Sequence, residues 1–258
     1  MNALYQIYKE LFLKERYSYN FFKEQLEKAK IIKYEKDNKV LGFAAIKQNH
    51  LLLICVKKEF QNLTIGTYLL RQAEKEIEKK YHTMILGDKS SFFYGTPLDC
   101  QQFFLKKGFD DIYINEDYLS HANKESVCKW KKASVEEKQS LLEILKIKNS
   151  KLLETYSKES NIYIYLDKNI KACYIEKQNQ YEELENVKVW IDNFLFLENT
   201  NIDYITSLKS FYKEPFLIRN FSYQNISLKK YFNIYQSYNI MVKQLKEGEN
   251  NVTVGETN

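Results

Sequence analysis

Apolar residues recur at helical spacing near the start of the chain, in residues 3–12 and 17–29. Three short apolar runs follow, and polar triplets of hairpin length separate them. These runs are residues 31–35, 40–46 and 51–56. The pattern predicts two helices and then an antiparallel meander of three strands.

The next segments alternate between helix and strand patterns. A helix is predicted to begin close to Gly66, because the apolar positions that follow lie on one helical face. Residues 83–86 have the composition of a short strand, and a second helix is predicted over 98–107, where Gly108 takes the usual C-terminal glycine position. Together with the meander, these elements predict a unit of helices and a largely antiparallel sheet.

The sequence also contains an internal repeat. With a shift of 130 residues, residues 32–49 align with residues 162–179. The halves then diverge, because the same shift places Phe196 opposite Gly66. A turn without glycine cannot crowd its backbone amides around a phosphate. The second half is therefore predicted to be a degenerate copy that has lost any such site.

The predicted fold class is α/β in the broad sense (α+β), with a mixed, largely antiparallel sheet flanked by helices and present twice. Residues 1–125 form the predicted first domain and residues 126–248 the second. Residues 249–258 are polar and lack periodicity, which predicts a disordered tail.

Composition argues against several function classes. Lys and Arg exceed Asp and Glu by only five, and the charges are interspersed, so no basic face for nucleic acid is expected. The four cysteines form no C-x-x-C pair, which argues against a metal site or a disulfide scaffold and favours a reducing, cytoplasmic location. No apolar run is long enough to span a bilayer, so no membrane partner is expected. The oligomeric state stays open.

Residues 55–70, CVKKEFQNLTIGTYLL, join an apolar strand to a helix through a turn that contains Gly66. Helix N-termini present unpaired N–H groups and the positive end of the helix dipole, so this turn is arranged to accept an anion such as a phosphate. Lys57 and Lys58 add positive charge at the strand end. From spacing alone, an ordinary strand-to-helix connection with solvated lysines is the alternative.

The segment EFQNLTIGTYLL resembles the acetyl-coenzyme A binding segment of the GCN5-related N-acetyltransferases, the GNAT family, with Gln61, Thr64 and Gly66 at the motif positions. Residues 101–109, QQFFLKKGF, resemble the later helix of the family, which ends in a Gly-Phe pair. Residues 237–245, SYNIMVKQL, resemble the closing strand of such domains, and this favours a second copy.

The resemblance implies acetyl-coenzyme A as the cofactor and a set of residues that hold it. In the family, the strand backbone pairs with the pantetheine arm and the turn amides bind the pyrophosphate. The implied pantetheine contacts are Cys55 and Val56, and the implied pyrophosphate loop is Gln61, Asn62, Leu63, Thr64, Ile65, Gly66 and Thr67.

Two departures from the family pattern bear on affinity and chemistry. Thr64 replaces the usual first glycine, although it still offers an amide and a hydroxyl. Phe104 stands where many members carry a tyrosine that protonates the leaving thiolate, and the strand HLLLICV lacks the carboxylate base that the family often has there. A thioester is already reactive, so positioning can do most of the work and these departures leave catalysis possible.

Three residues are candidates for acid–base catalysis. Tyr94 is the candidate acid, His50 the candidate base because the usual pKa of histidine is near neutral, and Asp88 could hold a water or the substrate amine. Each has a structural alternative, respectively a packing tyrosine, a hairpin histidine and a turn-capping aspartate. Cys55 is interpreted as a buried packing residue, because it lies in an apolar strand without a recognisable histidine partner.

The sequence thus predicts an acyl-coenzyme A dependent N-acyltransferase, which moves an acetyl group from acetyl-coenzyme A to an amine of a small molecule or peptide. The competing hypothesis is a non-catalytic protein that keeps the fold as a coenzyme A sensor or a protein-interaction module. A sensor would bind the cofactor without releasing free thiol. No motif identifies the amine, because specificity resides in variable walls of the fold.

Overall fold

The computed structural model describes residues 1–13, 16–86, 96–97, 100–120, 128–182, 184, 186–198, 201–219 and 228–245. The chain divides into two compact units. Unit 1 comprises Met1–Tyr113 together with Tyr238–Asn258, and unit 2 comprises Ile114–Ser237. No helix among the described residues is long and apolar enough to cross a membrane.

The described residues contain eight α-helices and twelve strands, together with short 3₁₀ turns. The helices are α1 (Asn2–Leu11), α2 (Tyr19–Glu27), α3 (Ile65–Glu78), α4 (Gln101–Leu105), α5 (Val135–Lys148), α6 (Ser150–Lys158), α7 (Ile202–Thr206) and α8 (Leu208–Phe211). The strands are β1 (Lys30–Lys36), β2 (Lys39–Lys47), β3 (His50–Val56), β4 (Thr83–Leu86), β5 (Thr96–Pro97), β6 (Asp110–Ser120), β7 (Trp130–Lys132), β8 (Ile162–Asp167), β9 (Asn169–Gln178), β10 (Val189–Phe196), β11 (Phe216–Ile218) and β12 (Asn233–Gln244).

The predicted meander is confirmed in unit 1. β1, β2 and β3 pair antiparallel in chain order, and β4 then pairs parallel with β3. Asp37 and Asn38 adopt left-handed φ values of 51° and 58° in the first hairpin, which matches the twist of a tight two-residue turn. The helix α3 supplies the crossover that a parallel pair requires.

The apolar stripe of α3 forms the centre of the unit 1 core. Leu69, Leu70, Ala73 and Ile77 are all buried, as their helical spacing predicts. The other face of the meander packs against the N-terminal helices, where the rings of Phe22 and Phe43 meet edge to face. The sheet of unit 1 is thus covered on both faces, and this fixes the position of β3 and of the turn that follows it.

Two elements differ from the sequence expectation. α4 is shorter than the predicted 98–107, although Gly108 does end that segment with φ +80°. Residues 237–245 form a strand as expected, but residues 241–244 pair antiparallel with β4 in unit 1 and do not close the second domain. The edge of β4 that faces away from β3 would otherwise leave its backbone N–H and C=O groups without partners, and β12 pairs with them. The first segment of unit 1 ends at residue 113, within β6, and the domain boundary near residue 125 stays a prediction.

Unit 2 repeats the strand arrangement of unit 1. β8, β9 and β10 pair antiparallel in chain order, and β11 pairs parallel with β10. β7 pairs with β8 at one side, and β6 pairs with β11 at the other. Asn149 lies between α5 and α6, which are separate helices. A capping box at Ser134 and Glu137 fixes the start of α5.

Candidate functional site

In unit 1, the strands β3 and β4 pair at two positions among the described residues, and the described part of β4 ends at Leu86. They pair only through His50 with Ile85 and Leu51 with Leu86, and β3 then continues to Val56. Among the described residues, the β4 side of β3 beyond Leu51 has no strand partner. A strand edge of this kind presents free N–H and C=O groups that an extended ligand can pair with.

Gly42 on β2 positions the helix behind this edge. A Cβ atom at residue 42 would lie 2.8 Å from the carbonyl oxygen of Cys55 and 3.1 Å from Cδ1 of Leu69 on α3. Side chains do not tolerate such distances, so glycine is required for α3 to approach the strands closely. Gly42 lies outside the motif residues 55–70, so the sequence alone does not indicate this role.

The turn after β3 is shaped by two left-handed residues. It begins with a 3₁₀ turn at Lys58–Phe60, and the side-chain amide of Gln61 then donates to the carbonyl oxygen of Val56 at 3.1 Å. Asn62 and Thr64 follow with φ values of 63° and 64°. Alternation of right- and left-handed residues turns successive N–H groups towards one side, which is the geometry of anion-binding nests.

The first turn of α3 presents uncapped N–H groups to this loop. Thr64 is the N-cap residue, and its side chain makes no capping hydrogen bond. The first bond of the helix runs from the N–H of Tyr68 to the carbonyl oxygen of Thr64. The N–H groups of Ile65, Gly66 and Thr67 therefore have no partner within the helix, and they coincide with the positive end of its dipole.

Two lysines at the end of β3 add positive charge to the turn. Lys57 is half-buried and Lys58 is exposed, and neither forms an ion pair with any described residue. The turn thus combines positive charge, uncapped amides and left-handed backbone within one short segment. These features fit a phosphate group.

Phe103 of α4 completes the wall beside Gly66. A Cβ atom at residue 66 would lie 3.5 Å from Cζ of Phe103 and 3.9 Å from Cγ2 of Val56, which are ordinary van der Waals contacts. The missing side chain therefore borders a space between the end of β3 and α4. The family pattern in the sequence singles out Phe104 and not Phe103. The signal was present in the Phe-Phe pair, whose two rings must point in different directions on a helix.

The side chains of Cys55 and Phe104, two residues that the sequence analysis considered for chemistry, are both buried. Cys55 is buried, and burial, with a smaller contribution from Cys100, raises the pKa of its thiol far above the ordinary value. Its carbonyl oxygen lies on the β2 side of the strand, and its interpretation as a packing residue agrees with the structure. Phe104 is also buried, and its ring packs edge to face against Phe103 and Phe109.

Of the three predicted acid–base residues, the structure describes His50. His50 lies at the first position of β3, in the hairpin opposite Lys47, whereas the turn follows the last position, Val56. At the rise of a strand these two ends are about 20 Å apart. Tyr94 and Asp88 lie outside the described residues. Among the residues described, no three metal-ligating side chains lie close enough together to hold an ion.

Comparison with known proteins identifies this arrangement. The sequence model of the Acetyltransferase (GNAT) domain matches residues 4–116. These residues belong to the GNAT family. GNAT domains generally bind acetyl-coenzyme A as cosubstrate, and the family therefore supports acyl transfer as the class of reaction. No curated protein matches the chain in sequence.

Solved GNAT structures extend the fold likeness across both units. The GCN5-related glucosamine N-acetyltransferase region of a fungal multi-domain GH3 β-N-acetylglucosaminidase is 15% identical, with a TM-score of 0.74 over 93% of this chain and 36% of that chain. This chain therefore spans about a third of the fungal protein's length. A putative acetyltransferase from Pyrococcus horikoshii is 14% identical, with a TM-score of 0.59 over 95% of this chain and 86% of that chain. A GNAT acetyltransferase from Colwellia psychrerythraea is 12% identical, with a TM-score of 0.54 over 95% and 97% of the two chains. At these identities the likeness concerns the GNAT fold alone.

Proposed function

We propose that the chain is an N-acetyltransferase that moves an acetyl group from acetyl-coenzyme A to an amine and that unit 1 binds the cofactor. The observation that carries the proposal is the opened edge of β3, followed directly by a turn of uncapped amides. An extended arm and a pyrophosphate need these two features in this order. The match of residues 4–116 to the family supports the same assignment.

The residues present fit the cofactor. The backbone of Val56 would pair with the pantetheine arm, and the N–H groups of Ile65, Gly66 and Thr67 would bind the pyrophosphate. Cys55, the other contact that the sequence predicts, directs its carbonyl oxygen towards β2 and would contribute packing alone. The remaining loop residues, Gln61, Asn62, Leu63 and Thr64, hold the left-handed backbone that aims these amides. Lys57 and Lys58 supply two positive charges at the entry to the loop, and neither forms an ion pair with a described residue.

Bound acetyl-coenzyme A would supply the acetyl group as a reactive thioester. The chain's own contribution is to hold that thioester and an unprotonated amine in line, which alone accounts for a large part of the rate of such reactions. Phe104 has no proton to give the departing thiolate, and β3 carries no carboxylate. We assign the proton transfers to Tyr94, Asp88 or His50, or to water.

The amine substrate is a further part of the proposal. The fungal relative is described as a glucosamine N-acetyltransferase, so glucosamine belongs in a panel of test amines together with polyamines and peptide N-termini. The panel tests the amine class directly, because the fold does not determine the substrate.

A second candidate function is a coenzyme A sensor or a protein-interaction module. Phe104 favours it, because a buried aromatic core residue stands at the acid position. A sensor would bind coenzyme A without turnover in the amine panel.

Titration calorimetry with acetyl-coenzyme A and a thiol-release assay would test the proposal. Gly66→Ala is the informative variant, because its two effects have opposite signs. Alanine in the first turn of a helix should raise stability by a few tenths of a kcal/mol up to about 1 kcal/mol. Its methyl group would narrow the space beside Phe103 and Val56, and we expect binding to weaken about tenfold, equivalent to about 1.4 kcal/mol.

Lys75→Ala is the matched control, because it changes an exposed position on the same helix far from the turn. It should leave the affinity unchanged. Equal affinities of the wild type and Gly66→Ala would mean that the cofactor does not bind at this turn. Binding without thiol release for any amine would favour the sensor.

A further inference from the structure

Unit 2 contains a counterpart of the opened strand edge. β10 and β11 run parallel, and their last pair is Ile191 with Ile218. β10 then continues to Phe196 without β11 beside it among the described residues. The parallel pair of unit 1 ends in the same way.

Backbone hydrogen bonds fix the correspondence between the two edges. The N–H of Leu197, directly after β10, donates to the carbonyl oxygen of Lys171 on β9. In unit 1 the residue after β3, Lys57, makes the same bond to β2. Phe196 therefore takes the position of Val56, the last residue of the edge assigned to the pantetheine arm.

In unit 2, however, the chain itself satisfies the polar groups of this edge. A bulge between Asp192 and Leu195 releases Asn193 from the ladder with β9, and Asn193 has φ 51°. The N–H of Asn193 donates to Oδ1 of Asp192 at 2.9 Å. The hydroxyl of Tyr156, a fully buried side chain on α6, donates to its carbonyl oxygen at 2.6 Å. Both backbone polar groups of Asn193 thus have a partner.

A buried ion pair lies beside Ile191 and Ile218, the last described pair of β10 and β11. The N–H of Arg219, directly after β11, donates to the carbonyl oxygen of Ile191 at 2.8 Å. Nε of Arg219 lies 3.2 Å from Oδ1 of Asp117 on β6, and Nη2 donates to the hydroxyl of Tyr181 at 3.1 Å. The guanidinium carbon lies 4.2 Å from the centre of the Trp190 ring. Arg219 and Asp117 are each 1% exposed, so a ligand would have to break this pair to enter here.

The connection that follows β10 also differs from the connection that follows β3, and the difference again disfavours a ligand site in unit 2. It runs over residues 197–201, whereas the connection after β3 runs over residues 57–64. It contains no glycine. Two short helices, α7 and α8, follow it in place of the long α3. The connection is too short to repeat the loop that precedes α3.

We propose that unit 2 is a closed copy of the cofactor site, in which Tyr156, Asp192 and the Arg219–Asp117 pair occupy the groups that a ligand would use, so that each chain binds one coenzyme molecule. The number of bound molecules rests on the proposed function of unit 1. The closed state of unit 2 is a property of the free protein and can be tested without a ligand.

Amide hydrogen exchange of the free protein tests the closed state. The amide of Asn193 should be protected to a degree similar to its strand neighbours, although it lies in a bulge. Tyr156→Phe should accelerate its exchange about tenfold, because the carbonyl oxygen of Asn193 loses its partner. Tyr163→Phe is the matched control, since it removes a half-exposed hydroxyl of the same unit that donates to Glu176. Exchange of Asn193 at the unprotected rate, or equal exchange in the wild type and Tyr156→Phe, would overturn the proposal.

Calorimetric titration with coenzyme A tests the number of sites. We expect one molecule of coenzyme A per chain and an affinity that Tyr156→Phe leaves unchanged. In Gly66→Ala, all of the binding heat should come from a single site of weakened affinity. Two molecules per chain, or a second site of unchanged affinity in Gly66→Ala, would overturn the proposal. Absence of any binding at millimolar coenzyme A would refute the proposed function of unit 1, and the exchange experiment would still decide the state of unit 2.

Discussion

Replacement of Thr64 by glycine should stabilise unit 1, because the backbone at this position is strained. Thr64 has φ 64° and ψ −4° and lies in the left-handed region. This region costs an L-residue about 1–2 kcal/mol, and it is least suited to β-branched side chains. The side chain of Thr64 makes no capping hydrogen bond that would offset the strain.

The expected gain is smaller than the strain itself. Glycine removes about 1–2 kcal/mol of strain, but the greater freedom of the unfolded chain costs about 0.5–1 kcal/mol. The net change is a stabilisation of about 0.5–1 kcal/mol, which corresponds to a rise in Tm of about 1–4 °C for a chain of this size. The amide of residue 64 is retained, so cofactor binding should not fall.

Far-UV circular dichroism or calorimetry is the suitable assay, because both tryptophans, Trp130 and Trp190, lie in unit 2 and do not report on unit 1. Thr67→Gly is the matched control, since Thr67 lies in the first turn of α3 without a left-handed φ. It should lose about 0.5–1 kcal/mol. If Thr64→Gly destabilised the protein as much as Thr67→Gly does, the left-handed turn would not exist in solution and the reasoning would fail.

Two further substitutions test the packing behind the site and the closed copy. Gly42→Ala should cost about 1–3 kcal/mol in calorimetric unfolding, because its methyl group would lie 2.8 Å from the carbonyl oxygen of Cys55 and the backbone must shift. A stability equal to that of the wild type or of Gly66→Ala would contradict the close approach. Arg219→Met should cost about 3–5 kcal/mol at alkaline pH, measured by tryptophan fluorescence during urea unfolding, because Asp117 would remain buried without its cation. Burial already raises the pKa of Asp117 to about 6 from an ordinary 3.8, so the folded protein loses stability as pH rises from the unfolded to the folded pKa. Without the Arg219 cation the folded pKa of Asp117 rises further, and this loss continues to higher pH. The deficit of Arg219→Met should therefore shrink as pH is lowered from alkaline values towards 6, and a deficit independent of pH would contradict the assignment.

Local patterns in the sequence determined the elements of unit 1 and the position of the turn. Short apolar runs separated by polar triplets located β1, β2 and β3 to within about one residue at each end, because such a pattern depends only on neighbouring positions. The buried face of α3 followed from helical spacing, and Gly108 followed from the left-handed position that ends a helix. The turn with Gly66 was also found, since all of its residues are contiguous in the chain.

The neighbours of these elements were decided by the tertiary structure alone. Arg219 and Asp117 are 102 positions apart in the chain and meet only because β11 lies beside β6. Phe103 borders Gly66 because α4 packs near the end of β3, and residues 241–244 complete the edge of β4 and not that of a strand in their own half. Periodicity records which face of an element is buried, but the order of strands in a sheet depends on which edges and faces satisfy one another, and no local pattern encodes that choice.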